Sequence, residues 1–227
     1  MERYALIETK MPREFILLQG TGCRWRQCTF CDYHEDVSHD PYSVNREALA
    51  HVTGRYGTLD VINSGSAFEL DSATLSLIRQ IIVEKKIHTL WVEMHWMYRL
   101  RLEEFAAQFP NVQVKFRCGI ETFDPALRNR WHKGVAANVT AEDVARYFQG
   151  VCLLCGTQGE SRERILSDIA TARRHFEYMS VNLFCNNTTD VKRDDDLTRW
   201  FVNEVYPTIK DDDRIEVLLN NTDLGVG

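Results

Sequence analysis

The sequence has 227 residues and a formal net charge of -6 at pH 7. This acidic balance argues against a nucleic-acid partner, because binding to phosphates normally requires a basic excess or a basic stripe. The sequence shows neither an apolar run of membrane-spanning length nor a signal-peptide pattern, so we expect a cytoplasmic protein without a membrane partner.

The length is sufficient for one sizeable hydrophobic core, and we predict a single domain over residues 1–227. The chain contains seven cysteines, an odd number. In a reducing compartment, cysteines act as metal ligands or core residues rather than as disulfide partners.

Short apolar runs alternate with helical stretches along the chain. Strands are predicted at 15–18, 59–63, 89–94, 112–118, 151–155 and 181–185, with a weaker strand at 215–219. Helices are predicted at 45–56, 71–85, 98–108, 140–148, 161–175 and 194–205, with Asn45, Asp71 and Thr140 among the expected N-caps. This alternation predicts an α/β fold, either a doubly wound sheet or a full or partial (β/α) barrel. In both folds, functional residues collect at the carboxyl ends of the strands.

Three cysteines, Cys23, Cys28 and Cys31, follow the first predicted strand within nine residues. Three thiolates in one short loop favour a soft cation, either an iron–sulfur cluster or a zinc ion with His34 as the fourth ligand. A structural zinc ion mostly supports small domains that lack a core, and a set of three thiolates leaves a position for an exogenous ligand. We therefore favour the iron–sulfur cluster, and a zinc-stabilised α/β binding module is the alternative that is not an enzyme.

This loop, with Phe30 directly before the last cysteine, resembles the radical S-adenosylmethionine (radical SAM) superfamily. The usual spacing in that superfamily is three residues and then two, whereas this chain has four and then two. Three later segments also resemble the superfamily, and each follows a predicted strand: Ser64-Gly65-Ser66, Arg117 to Gly134, and Leu153 to Glu160.

The resemblance covers roughly residues 14 to 187. It implies a partial (β/α)6 TIM-like barrel of the radical SAM type, to which the weak strand at 215–219 would add a short C-terminal strand. Taken alone, the Ser-Gly-Ser segment also fits an ordinary turn between a strand and a helix.

The resemblance further implies a [4Fe–4S] cluster on Cys23, Cys28 and Cys31 and S-adenosylmethionine (SAM) as the second cofactor. In the superfamily, one electron from the cluster splits SAM into methionine and a 5′-deoxyadenosyl radical, which takes a hydrogen from the substrate. The electron donor is expected to be a flavodoxin or a ferredoxin. The cofactor-binding residues implied in this way are Phe30, Ser64, Gly65, Ser66, Arg117, Glu121 and Leu154.

The predicted strand at 89–94 provides candidate substrate residues. Alternation along a strand places Trp91, Glu93 and His95 on the side away from the helices, and we expect Glu93 and His95 to be catalytic. A carboxylate within a strand is costly to bury without a partner. Glu93 therefore either meets a cationic substrate or forms an internal ion pair with Lys115 or Arg117.

The last predicted strand of the barrel offers a second pair of substrate residues. Asn182 and Phe184 are predicted to share one face of this strand. An amide beside an aromatic ring suits a flat heterocycle, because the amide bonds its edge and the ring stacks on its face.

Among compact members of the superfamily, the chain is most similar to lyases that cleave queuine to a 7-deazaguanine precursor, preQ1, in the salvage of tRNA queuosine. This similarity implies that Glu93 is a counter-ion to the side-chain amine of queuine. Two alternatives within the superfamily are an activating enzyme for a glycyl-radical partner and a tRNA-modifying enzyme. The acidic net charge favours a small-molecule substrate over RNA.

Overall fold

The computed structural model describes all 227 residues. The strands are β1 Tyr4–Ile7, β2 Arg13–Leu18, β3 Thr58–Asn63, β4 Thr89–Met94, β5 Gln113–Glu121, β6 Gly150–Cys155, β7 Tyr178–Leu183 and β8 Ile215–Leu218. The α-helices are α1 Pro41–Leu49, α2 Ser72–Glu84, α3 Leu102–Ala106, α4 Pro125–Arg130, α5 Ala141–Ala145, α6 Arg162–His175, α7 Asp195–Trp200 and α8 Tyr206–Ile209. None of the helices has the length and apolar character needed to cross a membrane.

The eight strands form one sheet whose spatial order follows the chain, from β1 to β8. β1 pairs antiparallel with β2, whereas β2, β3 and β4 are parallel to one another, as are β6, β7 and β8. In a doubly wound sheet the strand order reverses partway, at the point where ligands bind. The sequential order seen here is that of a barrel-type α/β fold, which decides between the two predicted architectures.

The chain divides into two compact units. The first comprises residues 1–26, 33–117 and 224–227, and the second comprises residues 27–32 and 118–223. β5 begins in the first unit and ends in the second. Within the first unit, Leu90, Trp91, Val92 and Met94 of β4 are buried.

All seven predicted strands are present, because buried strands of parallel sheets read as short apolar runs in the sequence. Three of these strands and α-helices were not predicted: the antiparallel edge strand β1 and the short helices α4 and α8. The predicted helix at 98–108 is a 3₁₀ segment, Trp96–Arg101, followed by α3. Asp71 and Thr140 are confirmed as N-caps of α2 and α5, where each side chain accepts a backbone N–H.

The prediction for the first helix was wrong at both ends. α1 begins at Pro41, and Asp40 is its N-cap, accepting the N–H of Ser43 at 3.1 Å. Asn45 is a buried residue inside the helix rather than its cap. Its side chain bonds the backbone of Gln19, accepting from the N–H at 2.7 Å and donating to the carbonyl at 2.8 Å. Asn45 therefore fixes the chain where it leaves β2 toward the cysteines.

Candidate active site

Cys23 lies in the first unit, in the loop that follows β2. Its side chain is partly exposed, and the backbone N–H of Arg26 approaches Sγ at 3.4 Å. Gly22 and Arg26 have φ of 105° and 44°, so the chain turns through left-handed conformations on both sides of Cys23. This turn directs the backbone N–H of Arg26 toward the sulfur atom of Cys23.

The Ser-Gly-Ser segment begins directly after the end of β3. Both serines are buried, and both hydroxyls accept backbone N–H groups from other loops. Ser64 Oγ accepts from Gly20 at 3.2 Å, and Ser66 Oγ accepts from His95 at 3.0 Å. The segment therefore joins the ends of β2, β3 and β4 in the first unit, where a barrel fold collects its functional groups.

Gly65 allows two parts of the backbone to approach each other closely. A Cβ atom at this position would lie 2.1 Å from Oε2 of Glu69 and 3.1 Å from Cα of Cys23. Any side chain at this position would push the carboxylate of Glu69 aside.

Asn63, the last residue of β3, holds an acceptor atom with no partner. Its Nδ2 donates to the carbonyl of Ser66 at 3.2 Å, while its buried Oδ1 accepts no hydrogen bond. An unpaired buried acceptor costs free energy, so such an atom at a strand end is suited to a ligand that brings a donor.

Arg117 and Glu93 belong to a row of four charged side chains in the first unit, Arg13, Asp60, Arg117 and Glu93, in which each contacts the next. Asp60, in the middle of β3, accepts from Nε of Arg13 at 2.8 Å and from both terminal nitrogens of Arg117 at 3.0 and 3.1 Å. Nε of Arg117 lies 3.7 Å from Oε2 of Glu93. The structure thus contains the internal Glu93–Arg117 ion pair that the sequence offered as an alternative. The Glu93 side chain keeps 32% of its surface exposed, whereas Asp60 keeps none.

Trp91 and His95 flank Glu93 on β4 and its continuation. Trp91 is buried, and Nζ of Lys115 lies 5.4 Å from the centre of its ring. The imidazole of His95 stacks on Trp25 of the cysteine loop with 5.2 Å between ring centres, and its Nδ1 accepts the N–H of Met97. His95 therefore connects the end of β4 to the cysteine loop within the first unit.

Cys28, Phe30 and Cys31 belong to the second unit, where they pack on an aromatic cluster. The buried members of this cluster are Phe30, Leu127, Trp131 and Phe184, and Cys28, Cys31, Leu154 and Val191 pack against it. Five residues predicted from the sequence to form the site are thus brought together: Cys28, Phe30, Cys31, Leu154 and Phe184.

Backbone and side-chain hydrogen bonds hold this half of the cysteine loop in place. Thr29 donates its N–H to the carbonyl of Trp131 at 3.1 Å, and Asn187 donates from Nδ2 to the carbonyl of Phe30 at 2.8 Å. The carboxylate of Asp32 accepts both the N–H and the hydroxyl of Thr188. These bonds order the segment that carries Cys28 and Cys31.

Glu121 ends β5 with φ of 66°, a conformation that costs free energy for any residue with a side chain. Its carboxylate accepts from Nζ of Lys133 at 2.8 Å, and Lys133 lies 5.6 Å from the ring centre of Phe30. Burial lowers the pKa of Lys133, but the charges of Glu121 and Cys28 outweigh it and the net shift is upward. The pair therefore places a buried ammonium group beside the cysteine loop.

The prediction that Asn182 and Phe184 share one face stays a prediction, because β7 ends at Leu183 and Phe184 is the next residue. The ring of Phe184 is buried in the aromatic cluster, against which Leu154, the register partner of Asn182, also packs. Asn182 is within the strand, and its buried Oδ1 accepts no hydrogen bond. Asn182 is thus a second acceptor suited to a ligand that carries a donor.

The residues of the cysteine loop fit an iron–sulfur cluster in their chemistry. All seven cysteines are reduced thiols, and Cys23, Cys28 and Cys31 are partly exposed, whereas Cys118, Cys152 and Cys155 are buried. No three Cys, His, Asp or Glu side chains are grouped closely enough to hold one metal ion. A cubane cluster has a different requirement, because each of its cysteine ligands binds a different iron atom.

The sequence interpretation missed Asp60, Glu69, Lys133 and Asn187, which hold the expected site residues in place. A signal was present for Asp60, because a carboxylate between Leu59 and Val61 in an apolar run requires a buried partner. Glu69 and Asn187 carried no local signal, since a polar residue soon after a strand is ordinary in a loop.

No protein-family model and no curated protein matches the sequence. Among solved structures, the chain is similar to a queuine lyase from Clostridium spiroforme bound to SAM and queuine, with 38% sequence identity and a TM-score of 0.95. The similarity covers 100% of this chain and 99% of that protein. The match confirms the predicted partial barrel of the radical SAM type and favours neither the zinc module nor the other two enzyme classes. The chain belongs to the queuine lyase family of radical SAM enzymes.

Proposed function

We propose that this protein is a lyase that cleaves queuine to the 7-deazaguanine precursor preQ1, using SAM. The observation that carries the proposal is the similarity to the queuine lyase structure, which extends over the whole chain and is seen with both SAM and queuine. Independent support comes from the cysteine loop and the Ser-Gly-Ser segment, which follow β2 and β3 in the order that the superfamily requires.

We propose that Cys23, Cys28 and Cys31 hold a [4Fe–4S] cluster. When bound, the cluster supplies the electron that cleaves SAM and so provides the radical for hydrogen abstraction. The protein orders both halves of the cysteine loop through bonds to Glu69 in the first unit and to Asn187 and Thr188 in the second. It also buries the ring of Phe30 in the aromatic cluster, against which Cys28 and Cys31 pack.

The end of β3 is the proposed site for the amino group of SAM. An ammonium group donates hydrogen bonds and accepts none, so it suits the unpaired Oδ1 of Asn63. Leu154 is the proposed apolar contact for adenine, and Glu121 is the proposed contact for the ribose or amino group.

We propose that Arg117 acts through Glu93 rather than on SAM. Both terminal nitrogens of Arg117 are bonded to Asp60, and its Nε faces Glu93. Glu93 thus lies beside a positive charge at the partly exposed end of this row of charged side chains.

Queuine carries a secondary amine between its deazaguanine base and its cyclopentenediol ring. We propose that Glu93 is the counter-ion to this amine, with His95 and Trp91 beside it. Comparison of queuine with preQ1 shows which bond must break, the one between the ring carbon and the amine nitrogen, because the nitrogen remains with the base in preQ1. Asn182 is the proposed hydrogen-bond acceptor for an N–H group at the edge of the base, because its Oδ1 has no partner in the protein.

The electron donor and the location of the protein are proposed on more general grounds. We propose a flavodoxin or ferredoxin as the donor, because the exposed Arg24 and Arg26 on the cysteine loop suit an acidic partner. We propose a cytoplasmic location, because seven cysteines without a disulfide are typical of a reducing compartment.

The test is an anaerobic assay of the reconstituted protein with SAM, a reductant and queuine. We expect preQ1 and 5′-deoxyadenosine to form together, and Cys28→Ala to abolish both. Iron and sulfide should approach four of each per chain in the wild type and fall in the variant. Formation of 5′-deoxyadenosine without preQ1 would retain the radical SAM chemistry and refute queuine as the substrate. Zinc without sulfide would refute both the radical SAM chemistry and queuine as the substrate.

A further inference from the structure

Glu69 lies where three segments of the first unit meet. It ends a 3₁₀ turn, Ala67–Glu69, that follows the Ser-Gly-Ser segment. Its Oε1 accepts the backbone N–H of Arg24 at 3.0 Å and the hydroxyl of Tyr98 at 2.9 Å, while its Oε2 accepts the N–H of Ser66 at 2.8 Å. One carboxylate thus bonds the residue after Cys23, the Ser-Gly-Ser segment and the 3₁₀ segment after β4.

The backbone of Glu69 strengthens the same connection. Its carbonyl accepts both the N–H and the hydroxyl of Thr21, at 3.0 and 3.1 Å. Thr21 and Arg24 lie on either side of Cys23, so the backbone and the side chain of one residue hold the turn that presents Cys23. The missing side chain of Gly65 completes the fit, because a Cβ atom there would displace the carboxylate.

We propose that Glu69 is a positioning residue that fixes the Cys23 thiol relative to the backbone groups of the Ser64-Gly65-Ser66 segment. This inference rests on the proposed function, which assigns Cys23 to the cluster and the Ser-Gly-Ser segment to SAM. It adds that one carboxylate links the two, so that the backbone around Cys23 and the Ser-Gly-Ser segment keep a constant separation. Groups that would be bound by these two segments need such fixed support.

A carboxylate suits this position because it accepts hydrogen bonds at both oxygens and donates none. Glu69 is buried, and a buried charge is tolerated only when hydrogen bonds replace its hydration. Three donors meet that condition here. Bonds to an ionised acceptor are also stronger than bonds between neutral groups, so the connection resists movement of the loop.

Tyr98 is an orienting partner for this carboxylate. Its ring is buried and stacks on Phe68, with 5.0 Å between ring centres. Burial, together with the hydrogen bond to Glu69, raises the pKa of Tyr98 to about 12, so the hydroxyl remains a donor at all working pH values.

Glu69→Gln separates the positioning role from mere filling of space. Glutamine has the same shape, but one of its two terminal atoms donates hydrogen bonds instead of accepting them. If its oxygen takes the position of Oε1, its amide group faces the N–H of Ser66, and a flipped amide faces the N–H of Arg24. One of the two segments must therefore lose its bond to residue 69.

The experiment compares wild type, Glu69→Gln and Tyr98→Phe, all reconstituted anaerobically. Glu47→Gln, an exposed glutamate of α1, is the matched control. The measurements are iron per chain, the dissociation constant for SAM by calorimetry, and the change that SAM causes in the electron paramagnetic resonance spectrum of the reduced cluster. Far-ultraviolet circular dichroism and the melting temperature report whether each variant folds.

We expect Glu69→Gln to fold and to bind SAM about tenfold more weakly, which corresponds to the loss of one charge-assisted hydrogen bond. The change that SAM causes in its electron paramagnetic resonance spectrum should also be smaller. Tyr98→Phe, which removes one of three donors, should change SAM binding in the same direction by less, and it provides the test if Glu69→Gln fails to fold. Wild-type SAM affinity and spectral response in both variants would overturn this inference alone. A wild-type protein that takes up no iron would instead refute the proposed function, and this inference with it.

Discussion

Asp60 is the residue whose replacement we expect to be most costly to stability. It is completely buried and is bonded to two guanidinium groups, those of Arg13 and Arg117, at 2.8 to 3.1 Å. Asp60→Asn keeps the shape and one acceptor atom but leaves two buried positive charges without their shared anion. Removing one partner from a buried ion pair costs about 3–5 kcal/mol. A chain of this size is typically stable by about 5–15 kcal/mol, so the loss would be a large part of the total.

The assay is urea unfolding under anaerobic conditions, read as a shift in midpoint at unchanged slope. Asp211→Asn, at the exposed pair with Lys210, is the control and should leave the midpoint unchanged. A second comparison isolates the charge. The double variant Arg13→Met, Asp60→Asn should lose at least about 1 kcal/mol less than the sum of the two single variants, because it also removes one of the two guanidinium groups that lose the Asp60 carboxylate. A loss under about 1 kcal/mol for Asp60→Asn would refute the reasoning.

Three further predictions concern the site and its pH dependence. Arg117→Lys should raise the KM for queuine at least about tenfold and leave the KM for SAM unchanged, because lysine cannot form the bidentate bond to Asp60 that orients Arg117 toward Glu93. A change in the KM for SAM alone would instead support a direct contact between Arg117 and the cofactor. Asn182→Ala should likewise raise the KM for queuine more than that for SAM, and equal effects in steady-state kinetics would argue against contact with the base. Burial raises the pKa of the Asp168 carboxyl to about 6. The native state therefore binds a proton at Asp168 more tightly than the unfolded state does, and the free energy of unfolding falls as pH rises from about 4 through 6. Asp168→Asn keeps an acceptor for the N–H of Phe123. Relative to the wild type, its free energy of unfolding should rise by up to about 3 kcal/mol between pH 4 and pH 7. An equal change of urea midpoint in both proteins between these two pH values would contradict this prediction.

The strands of this fold are predictable from sequence because they are buried on both faces, which produces apolar runs such as Phe15–Leu18. Helix boundaries were harder. Asp40-Pro41 is a strong start signal, but the apolar pattern of α1 is weak and Asn45 offered a competing cap. Asn45 instead supports the backbone of Gln19 in the tertiary structure, a role that no local pattern reveals.

The residues of the candidate site were likewise predictable only in part. Cys23, Ser66 and Glu93 could be located because each stands near the carboxyl end of a predicted strand. Their supporting partners could not, because the bonds join residues far apart in sequence, such as Arg24 and Glu69, which are 45 residues apart. The aromatic cluster around Phe184 could not be predicted either, because it joins Phe30, Leu127 and Trp131 from distant parts of the sequence.

The tryptophans around the cysteine loop give the protein an optical reporter of its own. Trp25 lies between Cys23 and Cys28 and is partly exposed, whereas Trp131 is buried, touches Phe30 and accepts a hydrogen bond from Thr29. A visible chromophore at the three cysteines would quench the emission of both indoles by energy transfer. Because the exposed indole emits at longer wavelength than the buried one, the shape of the emission band should change as the loop is loaded, and cluster assembly could be followed without any label.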